Sequence, residues 1–282
     1  MNDLPRISLV TPSYNQSQFL EQTLCSVVDQ GYSNLEYGVI DGGSSDDSVN
    51  IIKRYSSRID FWVSESDRGQ AHAINKGFSQ TSGEVMGWLN SDDILLPNTL
   101  KTVGTLFAHF PEISWITGIG VNIDAHGETI STTKPVGYKR DWIQRGWYHG
   151  RLLGFIRQES TFWRRSLWDR AGGYVNEDMH YGLDFDLWRR FASYADLVFV
   201  QAKLGAYRVH EAQKTATPDI YYMEIGVKTP PQLRFVTLPL RAMLTVGVSK
   251  FFPHCQYDQE RQSGIFVPDS SFKSVFTKQL KA

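Results

Sequence analysis

The stretch Val85-Met86-Gly87-Trp88-Leu89-Asn90-Ser91-Asp92-Asp93 decides the fold of this chain. Its first five residues form a short apolar run, which predicts a buried strand. Two adjacent carboxylates, Asp92 and Asp93, follow where that strand ends. Open α/β sheets bind ligands beyond the carboxyl ends of their strands, and carboxylate oxygens suit Mg²⁺ or Mn²⁺. The stretch therefore predicts a cation site; the alternative is that the pair caps a helix that begins near Pro97.

Strand-like and helix-like segments alternate on both sides of this stretch. Strands are predicted at residues 7–11, 35–40, 61–63 and 85–89, and helices at 19–28, 44–55, 70–78 and 97–110. Ser17 is predicted to cap the first helix, Ser44 and Asp47 to form a capping box, and Pro97 to lie in a first turn. Such alternation implies a parallel sheet with right-handed crossovers, that is, an α/β fold.

The alternation weakens after about residue 116. The predicted elements are a hairpin over 118–133, a loop or short helix over 142–155, a strand over 159–163, helices over 166–171 and 184–194, and short strands over 197–200 and 204–207. Residues 232–252 mix apolar and basic side chains. They are predicted either to lie on a membrane surface or to pack on the catalytic domain or a second copy, because Pro239 argues against one long helix.

Composition restricts the functions that the chain can have. Its net charge is -1 over 282 residues, which gives no general attraction for nucleic acid. The two cysteines, Cys25 and Cys255, support neither a disulfide framework nor a zinc cluster. The first six residues hold no signal-peptide core, and no apolar run approaches the ~20 residues that span a membrane. The predicted location is the cytoplasm, with peripheral contact to the inner face of the membrane as an extension.

Polar motifs follow each of the first three strands. They are Thr11-Pro12-Ser13-Tyr14-Asn15, Asp41-Gly42-Gly43-Ser44 and Asp67-Arg68-Gly69-Gln70. In the first, Tyr14 can stack on a base; in the third, Arg68 can fork onto phosphate oxygens. In the second, Asp41 can accept the imide N–H of uracil or thymine; this disfavours cytosine and leaves guanine open.

Each motif also has a structural interpretation, namely a simple turn for the first two and a surface ion pair for Arg68. All of them, with the stretch at 90–93, would nevertheless fall on one edge of the sheet. Together they predict a nucleoside diphosphate ligand.

These motifs, in this order, resemble the family 2 glycosyltransferases. The resemblance also includes Asn75-Lys76-Gly77 and extends over about residues 6–210. It implies the GT-A fold: a Rossmann-like, mostly parallel central sheet flanked by helices, here with a small mixed β region and a C-terminal extension. Residues 1–210 are predicted to form the catalytic domain, with a nucleotide-binding half at about 1–117 and an acceptor half at about 118–210. Residues 211–282 are the extension, of uncertain role.

The resemblance further implies an inverting transfer of a sugar from a nucleotide-sugar donor. A UDP-sugar is the predicted donor, and a glycan or a lipid-linked molecule is the predicted acceptor. The predicted donor contacts are Pro12, Tyr14, Asp41, Gly43, Asp67, Arg68, Asn90 and Ser91. The predicted acceptor contacts are Trp147, from its aromatic surroundings, and Gln158 and Glu159, from the family's cleft strand.

The catalytic groups depart from the family pattern at two positions. Asn90 stands where the family's Asp-x-Asp motif begins, so Asp92 and Asp93, with His210 downstream, are the predicted ligands of Mn²⁺ or Mg²⁺. Leu183 stands where a Glu-Asp pair would begin. Asp184 is therefore the predicted catalytic base, and Asp186 is the alternative.

Three other functions are alternatives to this prediction. A sugar nucleotidyltransferase is disfavoured because the Gly-x-Gly-x-x-Arg-rich loop is missing after the first strand. A dinucleotide-dependent oxidoreductase is disfavoured because Gly118-Ile119-Gly120 is not followed by the rest of the fingerprint. A nucleotide-sugar-binding protein without turnover stays open, because of the substitutions at Asn90 and Leu183.

Overall fold

The computed structural model describes residues 4–134, 136–211, 213–214, 218–226, 254–258 and 263–267. The strands in this part are β1 Ile7–Ser13, β2 Leu35–Asp41, β3 Phe61–Ser64, β4 Val85–Trp88, β5 Ile94–Leu95, β6 Trp115–Ile123, β7 Thr129–Thr132, β8 Thr161–Arg164, β9 Val198–Arg208, β10 His254–Asp258 and β11 Ser263–Val267. The helices are α1 Leu20–Val28, α2 Ser48–Tyr55, α3 Gln70–Ser79, α4 Thr99–His109, α5 Arg140–Gln144, α6 Arg165–Arg170, α7 Leu183–Phe191 and α8 Pro218–Ile225, with short 3-10 turns at Ser56–Arg58 and Gln158–Ser160.

One sheet extends through both predicted halves of the catalytic domain. Its order is β11-β10-β9-β6-β8-β4-β1-β2-β3, with β5 paired to β9 and β7 to β6. Strands β4, β1, β2 and β3 are mutually parallel neighbours. The chain moves outward from β1 to β3 and then returns to the other side of β1 as β4. The topological switch point, where such sheets bind ligands, therefore lies between the ends of β1 and β4.

The rest of the sheet is mixed. Strand β8 runs antiparallel to both β4 and β6, whereas β9 is parallel to β6 and to β10. The predicted hairpin is confirmed as β6 and β7, which pair antiparallel. The two short strands predicted at 197–200 and 204–207 are one strand, β9. Its intervening residues Gln201 and Lys203 are exposed while Ala202 is buried, so their polar character marks one solvent-facing side of the strand. The α/β prediction is thus confirmed, with several antiparallel strands.

The parallel strands are buried on both faces. Every residue of β1 is buried, and Leu9 and Val10, which point to opposite faces, belong to different apolar clusters. Helix α3 packs closely on one face at Gly77, where an added Cβ would lie 2.5 Å from a Val10 methyl carbon. This close packing places the beginning of α3 beside the ends of β1 and β2.

A cluster of indole rings fixes α7 to the sheet. Trp88 of β4 stacks on Trp188 of α7, with ring centroids 5.8 Å apart and planes at 9°. Trp163 of β8 meets both rings edge-on, at 5.5 and 5.7 Å. All three side chains are buried. The cluster holds the first turn of α7 over the carboxyl end of β4.

Two predicted helix caps, Ser17 and the pair Ser44 and Asp47, were wrong, and so was the first-turn position predicted for Pro97. Ser44 donates its hydroxyl hydrogen to Asp41, and α2 begins only at Ser48 without a side-chain cap. The Ser17 amide donates to Asp46, while α1 begins at Leu20. The polar groups near these helix starts form hydrogen bonds with the turn that follows β2, and they are therefore not available to cap the helices. Pro97 precedes the left-handed Asn98, and α4 begins at Thr99.

Within the described residues, no helix combines the length and apolarity needed to cross a bilayer. The segment 232–252, for which a membrane or packing role was predicted, lies outside those residues.

Candidate functional site

A cavity of about 820 Å³ opens beyond the carboxyl ends of β1 and β4. This volume is typical of small-molecule sites. The predicted site residues that line it are Pro12, Tyr14, Asp67, Asn90, Ser91, Asp92, Asp93, Gln158, Glu159 and Asp184. The structure thus brings together residues from both predicted halves. Asp41, Gly43, Arg68, Trp147 and His210 are not among its lining residues.

Asp41 shapes the turn after β2. It is fully buried, and its oxygens accept hydrogen bonds from the amides of Gly43 and Ser44 and from the hydroxyls of Ser44 and Ser64. Gly43 has φ of +82°, which favours glycine. These contacts hold Gly42 at the cavity. Asp41 therefore acts on the shape of the site through the protein's own backbone.

The loop before α3 exposes a carboxylate and turns its arginine away. Asp67 lines the cavity, and its Oδ1 accepts the amide of Gly69 at 2.8 Å. Gly69 has φ of +109°, so the loop turns sharply into α3. Arg68 forms an ion pair with Glu177 at 2.6 Å, and its side chain is 70% exposed. This is the surface ion pair that the sequence left open as the alternative to phosphate binding.

Asn90 and Asp93 form the buried floor of the cavity. Asn90 accepts a hydrogen bond from Gln70 at 2.7 Å and donates to Asp93 at 3.2 Å. The other Asp93 oxygen accepts the amide of Arg208 at 2.9 Å. Burial, followed by the charges of Asp92 and Glu159, raises the pKa of Asp93 well above its usual value. A neutral amide at position 90 avoids adding another carboxylate to this crowded floor.

Asp92 and His210 are in direct contact through their side chains. His210 Nε2 lies 3.2 Å from Asp92 Oδ2, and the histidine ring also packs on Phe19 at 4.6 Å. Arg208 is completely buried and donates to the backbone oxygen of Asp92 at 2.6 Å, which fixes the strand end. Oxygen and imidazole nitrogen are common ligands of Mn²⁺. Among the described residues, no set of three His, Cys, Asp or Glu side chains forms a complete metal site. Any cation here would need further ligands from a bound molecule.

The first turn of α7 separates the two candidate bases. Asp184 lines the cavity, and burial raises its pKa to about 6. Asp186 accepts a hydrogen bond from Arg190 at 2.9 Å, one turn later on the same helix. A pKa near 6 suits a carboxylate that must accept a proton near neutral pH. Asp184 therefore lines the cavity with a raised pKa, whereas Asp186 is engaged in an ion pair.

Several buried polar atoms around the cavity have no protein partner in the described part of the chain. They are Ser13 Oγ, Trp88 Nε1, Gln158 Oε1 and Glu159 Oε1. Gln158 is oriented by a hydrogen bond from its Nε2 to the backbone oxygen of Trp88, at 2.7 Å. Burial raises the pKa of Glu159. Buried polar groups are almost always hydrogen-bonded, so these atoms indicate a polar ligand or water in the cavity.

The wall formed by α8 and the residues before it was missed by the sequence analysis. Lys214, Tyr221 and Tyr222 line the cavity, and so does Phe155, whose side chain lies across from Tyr221 with ring centroids 5.8 Å apart. No motif marks these residues; only their contacts across the cavity reveal them. Trp147, predicted as the aromatic wall, instead packs beside Trp142 and under Arg145.

The comparisons with known proteins identify the family of the chain. The family model described as "Glycosyl transferase family 2" matches residues 8–168. The chain is 27% identical over 215 residues to an uncharacterized glycosyltransferase of Rickettsia typhi, covering 76% of this chain and 67% of that protein.

Two solved structures share the fold. TarS 1-349 of S. aureus in complex with UDP-GlcNAc matches with a TM-score of 0.61 and 15% identity, covering 84% of this chain and 71% of TarS 1-349. The match to another structure of that fragment covers 63% of it. The mannosyltransferase PcManGT of Pyrobaculum calidifontis, in complex with GDP-Man and Mn²⁺, matches with a TM-score of 0.58 and 18% identity, covering 86% and 70%.

The structure also argues against a dinucleotide-dependent oxidoreductase. Gly118-Ile119-Gly120 lies inside β6 and not in a strand-to-helix turn, so it cannot cradle a dinucleotide phosphate. The fold is that of GT-A enzymes, and the family model covers more than half of the chain. The chain belongs to glycosyl transferase family 2.

Proposed function

We propose that the protein transfers a sugar from a nucleotide-sugar donor to an acceptor hydroxyl by a single displacement with inversion. One observation carries this proposal: Asp92, which pairs with His210, and Asp184, on a different element, line the same cavity at the switch point of the sheet. Inverting transfer needs a cation-binding group for the diphosphate and a base on the opposite side of the sugar. The fold's structural neighbours bound to UDP-GlcNAc and to GDP-Man support a nucleotide-sugar donor.

The diphosphate is proposed to lie between Asp92 and Lys214. Asp92 and His210 would hold Mn²⁺ or Mg²⁺, and the cation would stabilise the negative charge of the departing diphosphate. Lys214 Nζ lies 3.0 Å from Gln70 Oε1 at the cavity wall and contributes a positive charge there. Lys214 replaces Arg68 in this proposal, because Arg68 is paired with Glu177. Asp93 remains a predicted ligand, with both oxygens bound to protein groups in this structure.

The nucleotide base is proposed to meet Tyr14 and Asp67. Tyr14 is 61% exposed beside the cavity, so its ring is accessible for stacking. The carboxylate of Asp67 lies close to Gly42, where an added Cβ would lie 3.0 Å from its Oδ2. A carboxylate at this position accepts the imide N–H of uracil. A UDP-sugar is therefore the proposed donor, on the basis of Asp67 and not of Asp41.

Asp184 is proposed to accept the proton of the attacking hydroxyl. The acceptor would enter between Asp184 and the aromatic side chains of Phe155, Tyr221 and Tyr222, whose rings can stack on a sugar face. Gln158 and Glu159 line the cavity on this side, where their unpartnered oxygens can accept hydrogen bonds from hydroxyls. A glycan or the sugar of a lipid-linked molecule is the proposed acceptor.

A thermal-shift panel of nucleoside diphosphates with and without Mn²⁺ tests the donor site. A ligand at about 100 times its dissociation constant stabilises a protein by about 2.7 kcal/mol. UDP with Mn²⁺ should give the largest shift, followed by dTDP. A larger shift with CDP would contradict the proposed role of Asp67.

The configuration of the product at its anomeric carbon, measured by NMR, tests the mechanism. Inversion is expected, and retention would rule out the single displacement. Binding of nucleotide sugars without hydrolysis or transfer to any acceptor would support the binding-only alternative. The predicted membrane contact of residues 232–252 is tested by co-sedimentation of the full chain and of a truncated chain with anionic vesicles; equal pelleting would remove the membrane prediction.

A further inference from the structure

Helix α8 contributes a carboxylate that binds three consecutive backbone amides. Glu224 accepts hydrogen bonds from the N–H groups of His180, Tyr181 and Gly182 at 2.7, 2.7 and 2.6 Å. Burial alone would raise the pKa of Glu224, but these hydrogen bonds outweigh it and the pKa is lowered. The carboxylate is therefore held in its charged, accepting form. Few single side chains satisfy three adjacent amides, so the 180–182 segment is strongly fixed.

The fixed segment leads directly into the candidate base. Gly182 is the N-cap residue of α7 and has no side-chain cap of its own, and Asp184 lies in the first turn of that helix. The amides at a helix start carry partial positive charge, which a carboxylate stabilises. Glu224 thus binds, from a separate helix, the amide of the N-cap residue of α7 and the two amides before it. A shift of that turn would move Asp184 away from the cavity.

The close approach of α8 is built into the sequence at Gly182. A Cβ added there would lie 2.6 Å from Cγ2 of Ile225, so only glycine allows α8 to reach the amides. Both residues that make this contact, and Glu224 itself, lie beyond the residues 8–168 that the family model matches.

We propose that Glu224 is a positioning residue for the transfer, which holds the 180–182 segment so that Asp184 faces the acceptor side of the cavity. This proposal rests on the proposed function, since it assigns Asp184 its role as base. It also gives the C-terminal extension a part in the site that the family resemblance does not assign.

A purely structural role, in which Glu224 merely attaches α8, is distinguishable. Helix α8 has a second attachment: Arg151 forms an ion pair with Asp219 at 2.6 Å and lies over the ring of Tyr222 at 3.8 Å. The variant Asp219→Asn weakens this attachment and leaves the contacts of Glu224 in place. It is the matched control for Glu224→Ala. Glu224→Gln, which keeps one accepting oxygen, is the rescue variant.

Hydrogen–deuterium exchange on the full-length variants tests the contact itself. In Glu224→Ala, the amides of residues 180–182 should exchange at least tenfold faster than in the wild type, with Glu224→Gln between the two. In Asp219→Asn, exchange at 180–182 should stay unchanged. Unchanged exchange in Glu224→Ala, or an equal increase in Asp219→Asn, would overturn the proposal.

Kinetics of UDP release from a UDP-sugar tests the consequence. Glu224→Ala should lower kcat at least tenfold while the Kd for UDP with Mn²⁺ changes less than twofold. Glu224→Gln should recover part of kcat. Equal kcat in Glu224→Ala and wild type, despite faster exchange, would show that the segment does not position Asp184. If the wild type turns over no donor, the proposed function fails separately, and the exchange result alone decides whether Glu224 holds the segment.

Discussion

The cavity has a floor and a wall that differ in how their polar groups are used. The floor consists of residues 90–93 together with the turn at 41–44. Most of its polar side chains form hydrogen bonds with other protein groups, as Asn90, Asp93 and Asp41 do. The wall, at residues 180–184, 213–214 and 218–224, presents Asp184, Lys214 and two tyrosine rings to the cavity. The floor therefore sets the shape of the site, and the wall supplies groups that can act on a bound molecule.

The largest effect is expected at the wall, from Asp184→Asn. Removing a general base typically lowers the rate about 10²- to 10⁴-fold, while binding of UDP should be nearly unchanged. Asp186→Asn is the matched control, since Asp186 pairs with Arg190; it should reduce the initial rate by no more than a few fold. The reverse ranking of the two variants would assign the base to Asp186.

The next effect separates the metal ligand from the rest of the floor. Asp92→Asn should lower turnover at saturating Mn²⁺ by about 10²-fold or more, because a bound cation contributes several kcal/mol of transition-state stabilisation. The apparent affinity for Mn²⁺, measured from the dependence of the rate on Mn²⁺ concentration, should also be weaker. Turnover within a few fold of the wild type would mean that Asp92 does not hold the cation.

A smaller effect distinguishes the two candidate phosphate contacts. A hydrogen bond to a charged group contributes about 1.5–3 kcal/mol, so Lys214→Gln should weaken UDP binding roughly tenfold or more. Arg68→Gln should leave the Kd nearly unchanged, because that arginine is exposed and paired with Glu177. Isothermal titration calorimetry of both variants gives the comparison. A tenfold loss in Arg68→Gln alone would restore the original prediction from the sequence.

The pH dependence should follow the carboxyl group of Asp184. Its pKa is raised to about 6, and only the ionised form can accept a proton. The transfer rate should therefore fall about tenfold per pH unit below about 6 and level off above it. A pH profile of kcat/KM, which reports the pKa values of the free enzyme, measures this in a buffer of constant ionic strength. A profile that stays flat down to pH 4.5 would contradict the assignment.

The smallest effect concerns stability. The folded-state pKa of Asp184 lies above its value in an unfolded chain, so the ionised side chain costs stability that builds up as pH rises through about 4 to 6. Asp184→Asn should therefore raise Tm by roughly a few degrees at pH 8 and by little at pH 4. Thermal denaturation at the two pH values tests the difference. An equal shift at both would show that the ionisation is not the cause.

The same contrast explains what the sequence could predict. The positions of the predicted strands alone placed Pro12, Asp67 and Asp92 at one edge of the sheet. The contacts of the wall residues arise only from packing: Lys214 lies 144 positions from its partner Gln70, and Glu224 lies 42 positions from its partner Gly182. No local pattern encodes such contacts. The predicted cap of α2 failed for a related reason: the hydroxyl of Ser44, which was expected to cap that helix, donates a hydrogen bond to Asp41 instead.

The stacked indole rings are an intrinsic spectroscopic probe of the cavity. Trp88 borders the cavity, and its ring stacks on Trp188, in the helix that carries Asp184. Emission and near-ultraviolet circular dichroism from this pair therefore depend on the spacing of two rings that connect the floor to the wall. A nucleotide that enters the cavity should change both signals without any attached dye, and a Trp188→Phe variant would identify the source of the change.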